Sequence, residues 1–480
     1  MGVLDRADVS QILQICRSGL FTIDRISACD EAARSCVRDA GPRVKQKGGG
    51  KHMMKELQGW TAWRIVILLA LLNLVNFLDK VVIGLVAIPM MDELKIAPAQ
   101  FGVVGGCFFW GFAIAGIIGG FVADRVKAKW MIAAMALSWA VLQIPLAYTA
   151  SISAVIACRF LLGIAEGPNW PVSIHALYKW FPDRKRSLPV FALGLGGSIG
   201  LMTAGMIIPL VTATWGWRSN FLLLGLVGAV WLLFWLPLGK EGTIDSSSSA
   251  GIAERKPYAL LFSDPTLWTC IFTHFACYWS IALTVTWTTV YLQKGLGYDA
   301  LTAGRMFSLN IALSASLSLA ITWLSQYLMQ KSVPSRVSRG LVTAIAAVLA
   351  ACCFSSMMIS GIPPFVRVLL LGLGGGFAQT VLYTGPAIVG EITPAPQRAS
   401  ILAVDNSLAS LAGIIAPIAT GYFVQYAGID PSAGYEAAFA MTGALFAVAS
   451  AACFAFLHPV RSSKRIQAGP TMHQAQVTGR

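Results

Sequence analysis

Apolar runs of about the length a helix needs to cross a bilayer recur along the whole chain, separated by short polar segments. They predict twelve spanning helices. The first six fall near 61–90, 98–121, 130–149, 152–177, 187–210 and 219–238. The second six fall near 265–292, 300–328, 338–360, 364–389, 399–423 and 436–458. Glycine and proline recur inside the runs, as neighbouring helices in a membrane permit. The segment 239–264 breaks the pattern with Lys240, Glu241, Asp245, the serines 246–249, Glu254, Arg255 and Lys256. It reads as a cytoplasmic linker between two six-helix bundles, 60–238 and 265–460, with 461–480 as a cytoplasmic tail. A 6+6 division suggests two parallel repeats, each built from smaller inverted ones. The halves share no obvious sequence, so the repeat rests on the span count. The fold class expected is an all-α membrane protein.

Orientation follows from the loops. With the N-terminus inside, the inner loops carry Arg125, Lys127, Lys129, Lys179, Arg184, Lys185, Arg186, Lys331, Arg336, Arg339 and Arg398. The outer loops carry only Lys95, Arg218, Lys294 and Arg367. Positive residues stay on the cytoplasmic side, so both termini are expected there. Trp180, Trp215 and Trp217 read as interfacial belt residues, and Arg305 and Arg367 as snorkelling side chains.

Composition agrees with the pattern. Only 12% of residues are charged, against about 25% in soluble chains, and 56% are hydrophobic. The net charge of +14 would suit nucleic acid, but the basic residues sit between apolar runs and in the tails. That placement argues for membrane anchoring and against nucleic-acid binding. Of the ten cysteines, seven lie in or beside apolar runs, and none has metal-ligand spacing with histidines. Neither a metal site nor a cofactor is expected.

Residues 1–59 form a polar, Arg-rich arm without the apolar core of a signal peptide. Two readings stand for it: a disordered tail, or a start assigned too early. Met53 and Met54 lie just before the first apolar run, and Lys47-Gly48-Gly49-Gly50 is what a purine-rich ribosome-binding site would encode.

The sharpest chemical signal is charge within the spans. Span one carries Asp79 and Lys80, span four Arg159 and Glu166, and span eleven Asp405. A charge at mid-membrane costs about 2.5–3.5 kcal/mol, so the first four would cost ~10 kcal/mol if unpaired. They are therefore expected to pair and to face a cavity. Arg159 and Glu166, seven apart, share one face of their helix. Asp79 and Lys80 point about 100° apart. Lys80 is the candidate anion anchor. Asp79 and Glu166 are the candidate proton carriers, because a carboxylate removed from water takes a proton more readily. Arg159 would hold a carboxylate ionised until substrate or proton displaces it. The competing reading is a static ion-pair cluster that holds the first half together.

Asp405-Asn406 adds polar contacts from the second half or a plain helix-packing hydrogen bond. His175 and His274 read as packing or interfacial residues. Gly116, Gly119 and Gly120, with Gly194, Gly196, Gly197 and Gly200, allow close helix contact. Such glycines suit helices that slide or rock, although simple packing explains any one of them.

Several segments resemble the major facilitator superfamily. Gly120-x-x-x-Asp124-Arg125-x-x-x-Lys129 is similar to its loop motif, with Lys127 in place of the usual glycine. The resemblance implies a cytoplasmic gate at Asp124 and Arg125. Within that superfamily, Asn76-Phe77-Leu78-Asp79-Lys80 resembles the Asn-Tyr-x-Asp-Arg segment of the anion:cation symporters. So does the run from Arg159 through Gly163 to Glu166-Gly167, with Pro168 and Pro171. Trp180-Phe181-Pro182 with Arg184 and Arg186, and Trp215-Gly216-Trp217-Arg218, are also similar. Asn406 with Gly413, Pro417 and Gly421 resembles their span eleven. The resemblance covers about 60–460. It implies proton-coupled uptake of organic carboxylates such as sugar acids or aromatic acids. It assigns coupling to Asp79 and Glu166, and substrate contact to Phe77 and Lys80. Phe77, Lys80 and Phe112 depart from the tyrosine, arginine and tyrosine common in the branch. Two hydroxyls are lost, and a bidentate fork becomes a point charge. This leans towards a less hydroxylated or aromatic acid.

The resulting expectation is a monomeric secondary transporter in a bacterial-type inner membrane, with substrate contacts at Phe77, Lys80, Phe112 and Asn406. Its partners would be a small organic anion, the proton and the bilayer. An exporter of drugs or metabolites is the alternative; Lys80 argues against it, because an exporter needs no fixed cationic anchor. An enzyme would need a nucleophile, a metal cluster or a phosphate loop, and the sequence offers none. A sensor would need an output domain.

Overall fold

The computed structural model describes residues 48–123, 126–181, 185–242, 255–428 and 430–469, and every regular element in them is helical. The chain divides into two units, Met1–Thr61 and Ala62–Arg480. The first unit is helical where described. The expected polar arm thus becomes helix from Gly48, and the rest of the arm lies outside the described residues. So do the centre of the linker and the gate pair Asp124 and Arg125.

The N-terminal half holds α1 (Gly48–Leu85), α2 (Ala87–Leu94), α3 (Pro98–Ala123), α4 (Ala128–Tyr148), α5 (Ile152–Glu166), α6 (Asn169–Tyr178), α7 (Ser187–Trp215) and α8 (Arg218–Leu238). A short α9 (Tyr258–Phe262) leads into the C-terminal half. There follow α10 (Pro265–Thr286), α11 (Ala300–Gln330), α12 (Val342–Ser355), α13 (Pro364–Gln379), α14 (Val381–Ile392), α15 (Arg398–Tyr426) and α16 (Pro431–Phe456). The segment read as a tail begins as another helix, α17 (Pro459–Ala468).

Eleven helices among the described residues are long and apolar enough to cross a membrane. The twelfth span of the sequence reading is the fourth. It is divided at Gly167-Pro168 into α5 and α6, each too short to qualify alone. Proline has no N–H to donate and its ring crowds the preceding turn, so the helix breaks there. Helix starts follow side-chain chemistry. Asp264 accepts from the Thr266 N–H at 2.9 Å, and Asp299 from the Leu301 and Thr302 N–H groups at 3.0 Å. Both carboxylates satisfy orphan amides at a helix N-terminus.

Within the halves, α3 packs on α5, α4 on α8, α12 on α16 and α11 on α13. Between them, α3 packs on α15 and α7 on α11. These crossings are close. A Cβ on Gly102 would stand 2.5 Å from the Pro417 carbonyl oxygen, and one on Gly205 2.6 Å from that of Gly304, so only glycine fits. Thr289 donates to the Gly84 carbonyl at 2.6 Å and Ser308 to that of Met202 at 2.7 Å. Ala99 N–H reaches Gln425 at 3.4 Å. All these contacts lie from the middle of the spans towards the end bearing the Leu94–Pro98 turn, the end poor in basic residues. Among the described residues, no hydrogen bond or ion pair joins the halves at the basic end. Of the glycines singled out from the sequence, Gly421 joins this seam against the Pro98 carbonyl, whereas Gly196 and Gly200 press against Ala70 and Leu74 of α1, inside the N-terminal half.

Two further expectations change. Trp217 is buried and its indole N–H donates to Glu93 at 2.6 Å, so it is an internal tie and not a belt residue. Arg367 is buried too. It pairs with Glu436 and donates to the Tyr291 hydroxyl and to the carbonyls of Met357 and Ile359. It ties helix ends together and does not snorkel. Trp215 and Arg305 are exposed, as an interface placement requires.

Candidate functional site

The charges of α1 and α5 meet inside the N-terminal half. The α1 turn from Asn76 to Lys80 faces the C-terminal end of α5, where Glu166 is the last helical residue. Its carboxylate is wholly buried, and the Gly167-Pro168 break follows at once. Asn76 sits between the two charges. Its amide donates to Glu166 at 2.7 Å and its carbonyl oxygen accepts from the Lys80 ammonium at 2.7 Å. Lys80 and Glu166 stand 3.7 Å apart, an ion pair looser than a direct hydrogen bond. The second Glu166 oxygen has no protein partner among the described residues.

Lys80 is the member of this group that reaches an open surface. Its side chain keeps 15% of its exposure, while that of Glu166 keeps none. The ammonium lies 4.6 Å from the centre of the Phe77 ring and 5.2 Å from that of Phe112. Both rings are half-buried. A cation over two ring faces is held by their quadrupoles, worth roughly 0.5–2 kcal/mol each depending on desolvation. The sequence-derived contacts Phe77, Lys80 and Phe112 therefore share one locus.

Asp79 and Arg159 are both buried, on the far side of the same turn. The guanidinium donates to the Asp79 backbone carbonyl at 3.3 Å and lies 4.8 Å from the Phe108 ring. No Arg159–carboxylate ion pair is present among the described residues, so the direct pairing expected of Arg159 is replaced by a backbone contact. One Asp79 oxygen has no hydrogen-bond partner, and Gln143 from α4 faces this carboxylate. Asn76 stood in the matched span-one segment but was given no role of its own, and Gln143 was missed because a lone amide in an apolar run carries no signal.

Asn406 belongs to a separate group. It accepts from the Tyr278 hydroxyl at 2.8 Å, which joins α15 to α10. Beside it, Asp405 pairs with His274 Nδ1 at 2.9 Å, both side chains buried. Two cavities lie away from both groups: one of about 250 Å³ beside Lys256 and Gln467, and one of about 200 Å³ beside Arg339 and Tyr383. Neither contains a residue of the Lys80 or Asn406 groups, and the site is assigned from the buried charges instead.

A helical membrane protein of two packed halves, with ionisable groups paired inside one of them, has the architecture of a secondary transporter. Residues 69–385 match the Major Facilitator Superfamily, and the chain belongs to that family: it is a transporter and not an enzyme. It is 26% identical over 388 residues to "Probable anion transporter 4, chloroplastic" of Oryza sativa, a match covering 77% of this chain and 65% of that protein. It is 24% identical over 413 residues to the "Hexuronate transporter" of Bacillus subtilis, covering 82% of this chain and 94% of the other. A bacterial homolog to the human lysosomal transporter Spinster, solved in an inward-facing and occupied conformation, superposes with a TM-score of 0.69. At 17% identity, over 85% of this chain and 98% of that one, it speaks for the fold alone.

Proposed function

We propose that this protein takes up a small organic carboxylate together with a proton. The observation that supports this most is the Lys80 ammonium, half-buried between two aromatic rings with Asn76 bridging it to Glu166. An incoming carboxylate makes a direct bond to Lys80 and displaces the loose contact with Glu166. Glu166, left in an apolar setting without its counter-charge, takes up a proton. Substrate and proton thus arrive together, and the loaded site carries no uncompensated charge across the membrane. Asp79 and Arg159, buried on the same turn, are the further members of the relay. Asn406 supplies the contact from the other half. Relatives named as anion and hexuronate transporters agree with an anionic substrate.

The two phenyl rings beside the cation offer no hydroxyl partner, which favours an aromatic or sparsely hydroxylated acid over a sugar acid. The bias of basic residues in the loops supports both termini in the cytoplasm, and we read the protein as a monomer of a bacterial-type inner membrane. On that reading the closed end faces outward and Lys80 opens to the cytoplasm. Asp124 and Arg125 belong to the cytoplasmic gate.

The test is uptake into proteoliposomes across an imposed pH gradient, with benzoate and D-glucuronate as probes. Accumulation of benzoate above glucuronate, driven by an outside-acid gradient, is the expected result. Preference for glucuronate would overturn the inference from the rings. Uptake of neither acid would move the assignment to export.

A further inference from the structure

The C-terminal half holds an ionisable pair to which the reading above gives no role. His274 of α10 and Asp405 of α15 face each other at 2.9 Å, with 5% and 3% of their side chains exposed. Each also presents an atom with no protein hydrogen-bond partner among the described residues: His274 Nε2 and Asp405 Oδ1. A static packing contact between helices would be better made by two neutral groups. An acid and a base at this depth must settle their charge instead. With the imidazole neutral, the pair carries −1 in an apolar interior. With one proton added it carries no net charge, either as imidazolium–carboxylate or as imidazole–carboxylic acid. Burying a net charge is the costlier state, so the pair is built to hold one proton.

The titratable groups around it complete the picture. On α10, Cys270 and Cys277 lie one turn to either side, and the Tyr278 ring centre is 5.1 Å from that of His274. From α16, Cys453 reaches Thr273 of the same helix at 3.4 Å. Tyr383 approaches Cys277 from α14. None of these is a base, so the added proton stays on the pair. One turn along α10 and one residue along α15, Tyr278 and Asn406 make a second rung between the two helices, 2.8 Å across. Tyr278 and Asn406 are half-buried, as is Val404 on the other side of Asp405.

We propose that His274 and Asp405 form a second proton-binding site, in the C-terminal half, that loads and unloads one proton reversibly from the aqueous side. It ties α10 to α15 more tightly when loaded, because the hydrogen bond is then charge-assisted or carries the shared proton. This reaches beyond the carboxylate reading and does not depend on it.

The experiment is a pH titration of the full-length, 15N-histidine-labelled protein in nanodiscs, followed by NMR from pH 5 to 9. The chain has five histidines, and His274→Gln identifies the signal of interest. If that variant fails to fold, replacing His52, His175, His458 and His473 by glutamine leaves His274 as the single reporter. A one-proton titration of His274 within this range, with proton affinity at least tenfold weaker in Asp405→Asn, is expected. An imidazole whose shifts stay constant from pH 5 to 9, or whose midpoint is unmoved in Asp405→Asn, overturns the proposal. No substrate is involved, so a failed carboxylate screen leaves this result standing. A silent His274 likewise leaves the Lys80 site untouched.

Discussion

The two halves bury polar groups in opposite ways. In the N-terminal half, Asp79, Lys80, Arg159 and Glu166 balance to zero when all are ionised, and only Lys80 reaches an open surface. In the C-terminal half a neutral rung, Tyr278–Asn406, stands in front of one acid–base pair, His274–Asp405. Fixed positive charge is therefore offered from one side only. The other side offers a hydroxyl, an amide and a buried imidazole–carboxylate contact. Such a division suits an anion that must be gripped firmly by one half and released when the other moves.

The largest expected effect breaks the first half of this comparison. Lys80→Ala removes the cation that the carboxylate meets, a charge-assisted contact worth about 1.5–3 kcal/mol, so carboxylate binding by calorimetry should fall by roughly 10- to 100-fold. Lys80→Arg should retain binding, since the guanidinium also carries the charge. Glu166→Gln should keep counterflow exchange yet lose accumulation driven by pH, about tenfold for each unit of gradient if one proton is coupled. Unimpaired accumulation in that variant would remove Glu166 from the coupling scheme.

The seam between the halves comes next. Gly102→Val places side-chain atoms against the Pro417 carbonyl. It should shift the population away from the state closed at the end poor in basic residues by about 1–3 kcal/mol. Thiol labelling of a cysteine introduced at Gln425 should then quicken. Tyr278→Phe sharpens the second half of the comparison, because it removes one hydrogen bond worth about 0.5–1.5 kcal/mol. A few-fold loss of carboxylate affinity, without loss of pH-driven accumulation, is the expected outcome.

The smallest effect lies outside both centres. The Glu93 carboxyl is held below the usual carboxylate range by hydrogen bonds from Arg218 and Trp217. That stabilisation is present above the ordinary carboxylate pKa of about 4 and is lost as pH falls through the depressed value. Because Glu93 is half exposed, Glu93→Gln should cost less than about 1 kcal/mol, read as a small loss of thermal stability at neutral pH.

Length and polarity alone predict the spans, because a lipid-facing helix must be apolar over about 20 residues and must satisfy its own backbone. The boundaries at Pro98, Ile152 and Pro265 follow directly. Charges within those runs were equally visible, since a charge at that depth has no neutral explanation. Two facts were decided only by the tertiary structure. One is that Asn76 bridges Lys80 to Glu166 while Arg159 turns to a backbone carbonyl. Partner choice depends on distances of a few tenths of an ångström between helices far apart in sequence. The other is which glycines bring the halves together: Gly84, Gly102, Gly106, Gly205 and Gly421 do, whereas Gly196 and Gly200 pack inside the N-terminal half. A glycine reads the same in sequence wherever it packs, and only the crossing of two helices shows which one a Cβ would block.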